Sequence, residues 1–205
     1  MKITVNPGHY PGLDPGAINP ETGLQEATVN QQVGEKLASR LKNYGHDVLL
    51  IQRNELYEIT DESNTWGAEL FISLHCNSFT SSEAHGTETY HFPDSEKGSK
   101  LASLIQAEFI GSLGLADRGV KAANFYVLHY TDCPAVLLEM AFITNQEEAA
   151  LLENQDWQGK AADAIAAAFQ RYIQGAGADE TAGLKDPAGN NGKQVETTDS
   201  HDLES

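Results

Sequence analysis

Four residues spread along this 205-residue chain have side chains suited to metal-assisted hydrolysis: His9, Glu26, His75 and Glu139. Two imidazoles and one carboxylate form the ligand set of an open catalytic zinc site, with water in the fourth position. Zinc draws the pKa of such a water down toward 7, and a further carboxylate close by can act as general base. The four lie far apart in sequence, so this chemistry exists only if the fold collects them. Three of them also have a plainer reading. His75 can be a satisfied structural histidine, Glu26 a favourable charge at a helix N-terminus worth about 0.3–1 kcal/mol, and Glu139 half of a salt bridge.

The elements that would have to position them can be read in chain order. Ile3 and Val5 share one face of a first strand, which breaks into the Pro/Gly-rich loop Asn6-Pro7-Gly8-His9-Tyr10-Pro11-Gly12. A loop leaving the carboxyl end of a strand is where open α/β sheets place ligands. Thr22 and Gln25 have the spacing of a capping box, ahead of a helix over about 24–44 whose stripe is Val29, Val33, Leu37 and Leu41. Glu26 continues that stripe at the first turn, where a charged group needs a partner. The apolar run from Asp47 to Gln52 predicts an interior parallel strand, and residues 55–68 a short helix. Glu69 to His75 predicts a buried strand with His75 on the face of Phe71 and Ser73 and Cys76 on the other.

Residues 86–92 alternate as a strand, 99–113 show a helical stripe, and 125–129 have strand character. Asp117 to Asn124 is expected to be a loop rich in side chains able to contact a ligand. Pro134 to Phe142 is apolar enough to lie inside a sheet, yet it carries Glu139. Burial raises a carboxyl pKa, which suits proton transfer near neutral pH. A short helix from Asn145 and an alanine-rich one over 156–173 close the pattern, the latter with Trp157, Ala161, Ile165, Phe169 and Tyr172 toward the core. Alternating strands and helices predict an α/β fold: a single domain over 1–173, with a mixed, mostly parallel sheet of about six strands flanked by helices on both faces.

Composition narrows the partners. With 40% apolar residues the chain can build a core, and a net charge of −17 disfavours nucleic acid or an anionic membrane surface. Seven acidic and two basic residues fall in 174–205, leaving −12 for the rest. That segment lacks aromatic residues and is expected to be an acidic disordered tail or linker. Cys76 and Cys133 form no CxxC motif and read as small buried residues. No apolar run reaches the roughly 20 residues of a membrane span. The first residues lack the basic and apolar regions of a signal peptide, which reads as a trimmed chain or phage-type release.

Taken in order, Asn6-Pro7-Gly8-His9, Gly23-Leu24-Gln25-Glu26, Leu70-Phe71-Ile72-Ser73-Leu74-His75-Cys76-Asn77, Gly86-Thr87-Glu88-Thr89-Tyr90, Asp117-Arg118-Gly119-Val120-Lys121, Phe125-Tyr126-Val127-Leu128 and Pro134 to Asn145 form seven blocks. Together they resemble the zinc-dependent N-acetylmuramoyl-L-alanine amidases of the amidase-3 family, over nearly all of 1–173. The resemblance implies that His9, Glu26 and His75 hold one Zn2+, that Glu139 is the catalytic residue, and that Asn77 holds loop geometry more than it binds metal. It implies hydrolysis of the amide between N-acetylmuramic acid and L-alanine of peptidoglycan, outside the cell or in the wall or periplasm, by an autolysin or an endolysin.

The chain departs from the family pattern at several points. Asn6 and Tyr10 flank the first motif where the family commonly has Asp and Gly, so Tyr10 can narrow the cleft or stack on substrate. Gln52-Arg53 replaces Thr-Arg. His129 stands where many relatives are basic, and is expected either to touch substrate or to be a surface histidine. The short connections between His75 and Gly86 and between Tyr90 and Ser99 leave no room for an inhibitory helix, so activity without an activator, as a monomer, is expected. The rivals are a zinc carboxypeptidase or deacetylase acting on another amide, and a non-catalytic wall-binding module.

Overall fold

In the computed structural model, which describes residues 1–176, six strands form one sheet in the order β2-β1-β3-β6-β4-β5. These are β1 (Lys2–Pro7), β2 (Asp47–Leu50), β3 (Leu70–Asn77), β4 (Thr87–His91), β5 (Asp117–Ala122) and β6 (Ala135–Phe142). All neighbouring pairs are parallel except β4 with β6. Six helices surround the sheet: α1 (Glu26–Asn43), α2 (Leu56–Trp66), α3 (Glu96–Leu113), α4 (Tyr126–His129), α5 (Gln146–Glu153) and α6 (Gln155–Ala176). This is the mostly parallel six-stranded α/β domain that the alternating pattern predicts. The tail over 177–205 lies outside the described residues.

The two faces of the sheet are covered unequally. One carries Ile3, Val5, Leu70, Ile72, Leu74, Val136, Leu138 and Met140, packed against the apolar faces of α1, α3 and α6. The α1 stripe Val29, Val33, Leu37 and Leu41 is fully buried there, each side chain contributing on the order of 1.5–3 kcal/mol. All five core residues expected of the last helix are buried too. The other face carries Phe71, Ala135 and Leu137 and is capped by Ile59 of α2 and Val127 and Leu128 of α4. By alternation His75 and Glu139 follow Phe71 and Leu137 on this second face, toward the carboxyl ends of β3 and β6.

Local assignments differ from the sequence reading in four places. The run 47–52 forms an edge strand only over Asp47–Leu50, since β2 has β1 as its sole neighbour and Leu50 is exposed. Residues 117–122, expected as loop, form the opposite edge strand β5 in parallel register with β4. Phe125 to His129, expected as strand, contributes one helical turn with Val127 and Leu128 inward; four residues are too few to show a helical period. The capping box does not form: α1 starts at Glu26 with Gln25 as an N-cap whose side chain makes no cap bond, while the Thr22 hydroxyl accepts from Leu24 N.

Candidate metal centre

The first motif turns sharply because the chain must bring an imidazole back over the sheet. Gly8 N donates to Leu74 O at 2.8 Å, tying the loop to β3. A Cβ on Gly8 would stand 2.2 Å from the His75 ring, so only glycine lets the two segments close. His9 follows with φ of 61°, a left-handed conformation that side chains rarely adopt and that a surrounding structure must enforce. The enforcement is visible: Tyr10 and Asp14 pair through their backbones, and the Asp14 carboxylate accepts from Gly16 N at 3.0 Å and contacts His9 Nδ1 at 2.7 Å. His9 Nε2 is thereby aimed at Glu26 Oε2, 3.3 Å away.

Glu26, the first residue of α1, is 4% exposed and gathers both imidazoles. Its Oε1 accepts from Cys76 N at 2.9 Å and lies 3.0 Å from His75 Nδ1; its Oε2 accepts from Ala17 N at 2.9 Å. Asn30, one turn later, donates to Oε1 at 3.3 Å. Burial works to raise the Glu26 pKa, but the contacts with His75 and His9 outweigh it and hold the carboxyl well below the usual range. For His75 burial opposes the charged ring, and the bond to Glu26 outweighs it, so its pKa is raised. Burial and the charges of Glu26 and Glu139 push the Cys76 thiol up, keeping it a neutral side chain beside the cluster.

His9, Glu26 and His75 each offer one ligand atom, all within 4.8 Å of one another. This two-imidazole, one-carboxylate donor set suits zinc, and the surroundings fit it: Asp14 fixes the His9 ring through its other nitrogen. Gly16 also leaves room, since a Cβ there would fall 2.6 Å from His9 and 2.7 Å from Glu26. Glu139 stands directly opposite His75 in the register of β3 with β6. Its backbone carbonyl accepts from the Thr87 hydroxyl at 2.9 Å, which ties β6 to β4 at this point.

The remaining expected site residues are not among the three that meet in this cluster. Tyr10 is partly exposed on the loop that carries His9. Asn77 donates to Glu88 at 2.9 Å and accepts from Ser78 N at 2.8 Å. His129 packs against Phe92 and Tyr130 and contacts Asn124 at 3.0 Å. Since His91 pairs with Val136, Phe92 and His129 sit toward the amino end of β6, away from Glu139.

Sequence reasoning missed three partners. Asp14 and Asn30 support the cluster, and each left a trace without a role: Asp14 as an acid in a glycine-rich loop five residues from His9, Asn30 as the residue that follows Val29 behind the second motif block. The third is Glu88, 3% exposed on β4 and opposite Glu139 in register. Its signal was a charge at a core-facing position of an alternating strand.

A family model described as N-acetylmuramoyl-L-alanine amidase matches residues 3–171. An uncharacterized protein of Bacillus subtilis, YqiI, is 38% identical over 176 residues, covering 83% of this chain and 84% of that protein. The N-acetylmuramoyl-L-alanine amidase LytC of the same organism is 37% identical over 169 residues, 80% of this chain and 34% of LytC. Among solved structures, the catalytic domain of CwlV, an N-acetylmuramoyl-L-alanine amidase from Bacillus (Paenibacillus) polymyxa, superposes with a TM-score of 0.79 at 32% identity, over 84% of this chain and 98% of that one. N-acetylmuramoyl-L-alanine amidase AmiC2 of Nostoc punctiforme also gives 0.79, at 28% identity over 85% and 97%.

Proposed function

This chain belongs to the N-acetylmuramoyl-L-alanine amidase family, and from that premise we propose that it cleaves the amide between N-acetylmuramic acid and the L-alanine that begins the peptidoglycan stem peptide. The reading includes one zinc ion held by His9, Glu26 and His75. The observation that carries it is the meeting of those three within 4.8 Å, with Glu139 one strand away in register with His75.

When bound there, zinc would supply Lewis acidity for the water and the lactyl carbonyl. The protein's own part is positioning and proton transfer. Asp14 holds His9 Nδ1, so that Nε2 faces the centre. Glu26 is fixed by the backbone amides of Ala17 and Cys76 and cannot swing away. The Glu139 carboxylate takes the proton of the attacking water and returns it to the departing L-alanine nitrogen, the role of a general base turned general acid. Tyr10, on the rim, contacts substrate in this reading, while Asn77 acts by holding Glu88.

The segments 78–86 and 92–95 contain no helix that could cover the centre, which supports activity of the protein as purified. No helix among the described residues is long and apolar enough to cross a membrane. The test is mass spectrometry of peptidoglycan digests made with the protein as purified, after chelation, and after zinc is restored. Stem peptides beginning at L-alanine, lost on chelation and regained with zinc, are the expected result. Peptides shortened at another bond would instead establish the carboxypeptidase rival, and glycan fragments lacking an acetyl group the deacetylase rival.

A further inference from the structure

Glu88 is a buried carboxylate with every acceptor direction in use. Its Oε1 accepts from Asn77 Nδ2 at 2.9 Å and from the Tyr90 hydroxyl at 2.7 Å. Its Oε2 accepts from Arg118 Nε at 2.8 Å and from Lys121 Nζ. Two cations on one carboxylate leave the Glu88 cluster itself at +1, with the Glu139 and Glu148 carboxylates beside it. A structural ion pair needs one cation, and the two neutral donors would complete it. The chain holds 13 Lys and Arg against 30 acidic residues, yet two of them meet here.

The place matters as much as the charge. His75, Glu139 and Glu88 are successive partners across β3, β6 and β4, and Arg118 and Lys121 come from β5, the next strand. Both cations stay partly in water, with side chains 38% and 39% exposed. The Arg118 guanidinium lies 4.7 Å from the centre of the Phe142 ring, and Lys121 Nζ lies 5.7 Å from that of Tyr90, so both charged ends rest over aromatic rings. Neighbouring strands are about 4.8 Å apart. The cations therefore stand roughly 5–10 Å from the Glu139 position, a span that two or three residues of extended peptide cover at about 3.3–3.6 Å each.

We propose that Arg118 and Lys121, seated on Glu88, form an anion subsite that binds a stem-peptide carboxylate two or three residues beyond the cleaved amide. The proposal rests on the amidase reading. It gives an acidic protein a local means of holding an acidic peptide, since the field of the molecule as a whole repels one. Glu88 is a positioning residue here: it fixes the two cations, and the donors not engaged by Glu88 or by the His85 carbonyl, to which Arg118 Nη1 donates at 3.3 Å, meet the ligand.

The experiment compares muramyl peptides that differ only in a free carboxylate or its carboxamide, at the second or at the third residue. It uses the zinc-loaded wild type and the variants R118Q, K121Q and R118K. In the wild type the carboxylate form should have a KM at least about tenfold lower at one of the two positions, the scale of one charge-assisted hydrogen bond. R118Q and K121Q should each reduce that ratio severalfold, and R118K should keep most of it. Zinc content and melting temperature show whether each variant is folded. A wild type that cleaves both forms with equal KM overturns the subsite while leaving the amidase reading intact. If neither form is cleaved, the amidase reading fails, and calorimetric titration of the same peptides still decides the subsite: equal affinities overturn it, a carboxylate preference lost in R118Q upholds it.

Discussion

Two buried carboxylates, Glu26 and Glu88, hold the two halves of this site, and they are satisfied in opposite ways. Glu26 is met by two imidazoles, two backbone amides and an asparagine. Glu88 is met by a guanidinium, an ammonium, a phenol and an amide side chain. Imidazoles are charged only when protonated and can instead turn a lone pair toward a metal, so the Glu26 cluster can exchange its internal contacts for a divalent cation. A guanidinium and an ammonium only donate and offer no lone pair to a cation, so the Glu88 cluster has nothing to exchange. One arrangement has the donors to accept an ion; the other is a fixed platform that orients its own cations. Glu139 lies between them, paired in register with His75 on one side and Glu88 on the other.

The largest expected effect comes from the residue between the two. Glu139→Gln should reduce turnover by about 10²–10⁴-fold, the usual worth of a positioned general base, with zinc content unchanged. A near-normal rate would take Glu139 out of the chemistry. Next is Asp14→Asn, which leaves His9 Nδ1 without its anionic partner. Zinc affinity should fall about 10–100-fold, as when a metal ligand loses its outer carboxylate. Competition with a chromogenic chelator measures this, and an unchanged affinity would show that the loop alone sets the ring.

Glu88→Gln should leave zinc affinity intact and cost about 2–3 kcal/mol of stability, because two cations lose their counter-charge while retaining some access to water. Denaturant unfolding reads it; a loss of zinc instead of stability would merge the two clusters into one. The pH dependence sharpens the same contrast. Burial tends to raise the Glu88 pKa, but Lys121, Tyr90 and Arg118 outweigh it and hold it below the ordinary 4.5. Its contribution is therefore present above pH 4.5 and is lost as pH falls further through the folded-state value. The stability gap between wild type and Glu88→Gln should narrow on acidification below that point. A gap that stayed constant would mean that Glu88 is not ionised in the fold.

Legibility in the sequence followed how local the cause was. The α1 and α6 stripes, the strand of Leu70–His75 and the helix at Gln146 could be read because periodicity and capping act over a few residues. The short turn at Tyr126–His129 and the edge strand at Asp117–Ala122 could not, since their state depends on neighbours far along the chain. His129, for which sequence context left substrate contact and a surface position open, packs against Phe92 and Tyr130 near the amino end of β6.

By itself the sequence determined the chemical inventory, the α/β alternation and the order of the motif blocks, because side-chain type and hydrophobic period are written residue by residue. The tertiary structure alone decided that Glu26 meets both imidazoles, that Asp14 steadies one of them, and that Glu88 faces Glu139 with two cations on its far side. Those meetings join residues as many as 51 positions apart, Glu88 and Glu139. They are set by strand order and register, which come from packing the whole sheet against its helices and not from any stretch of chain taken alone.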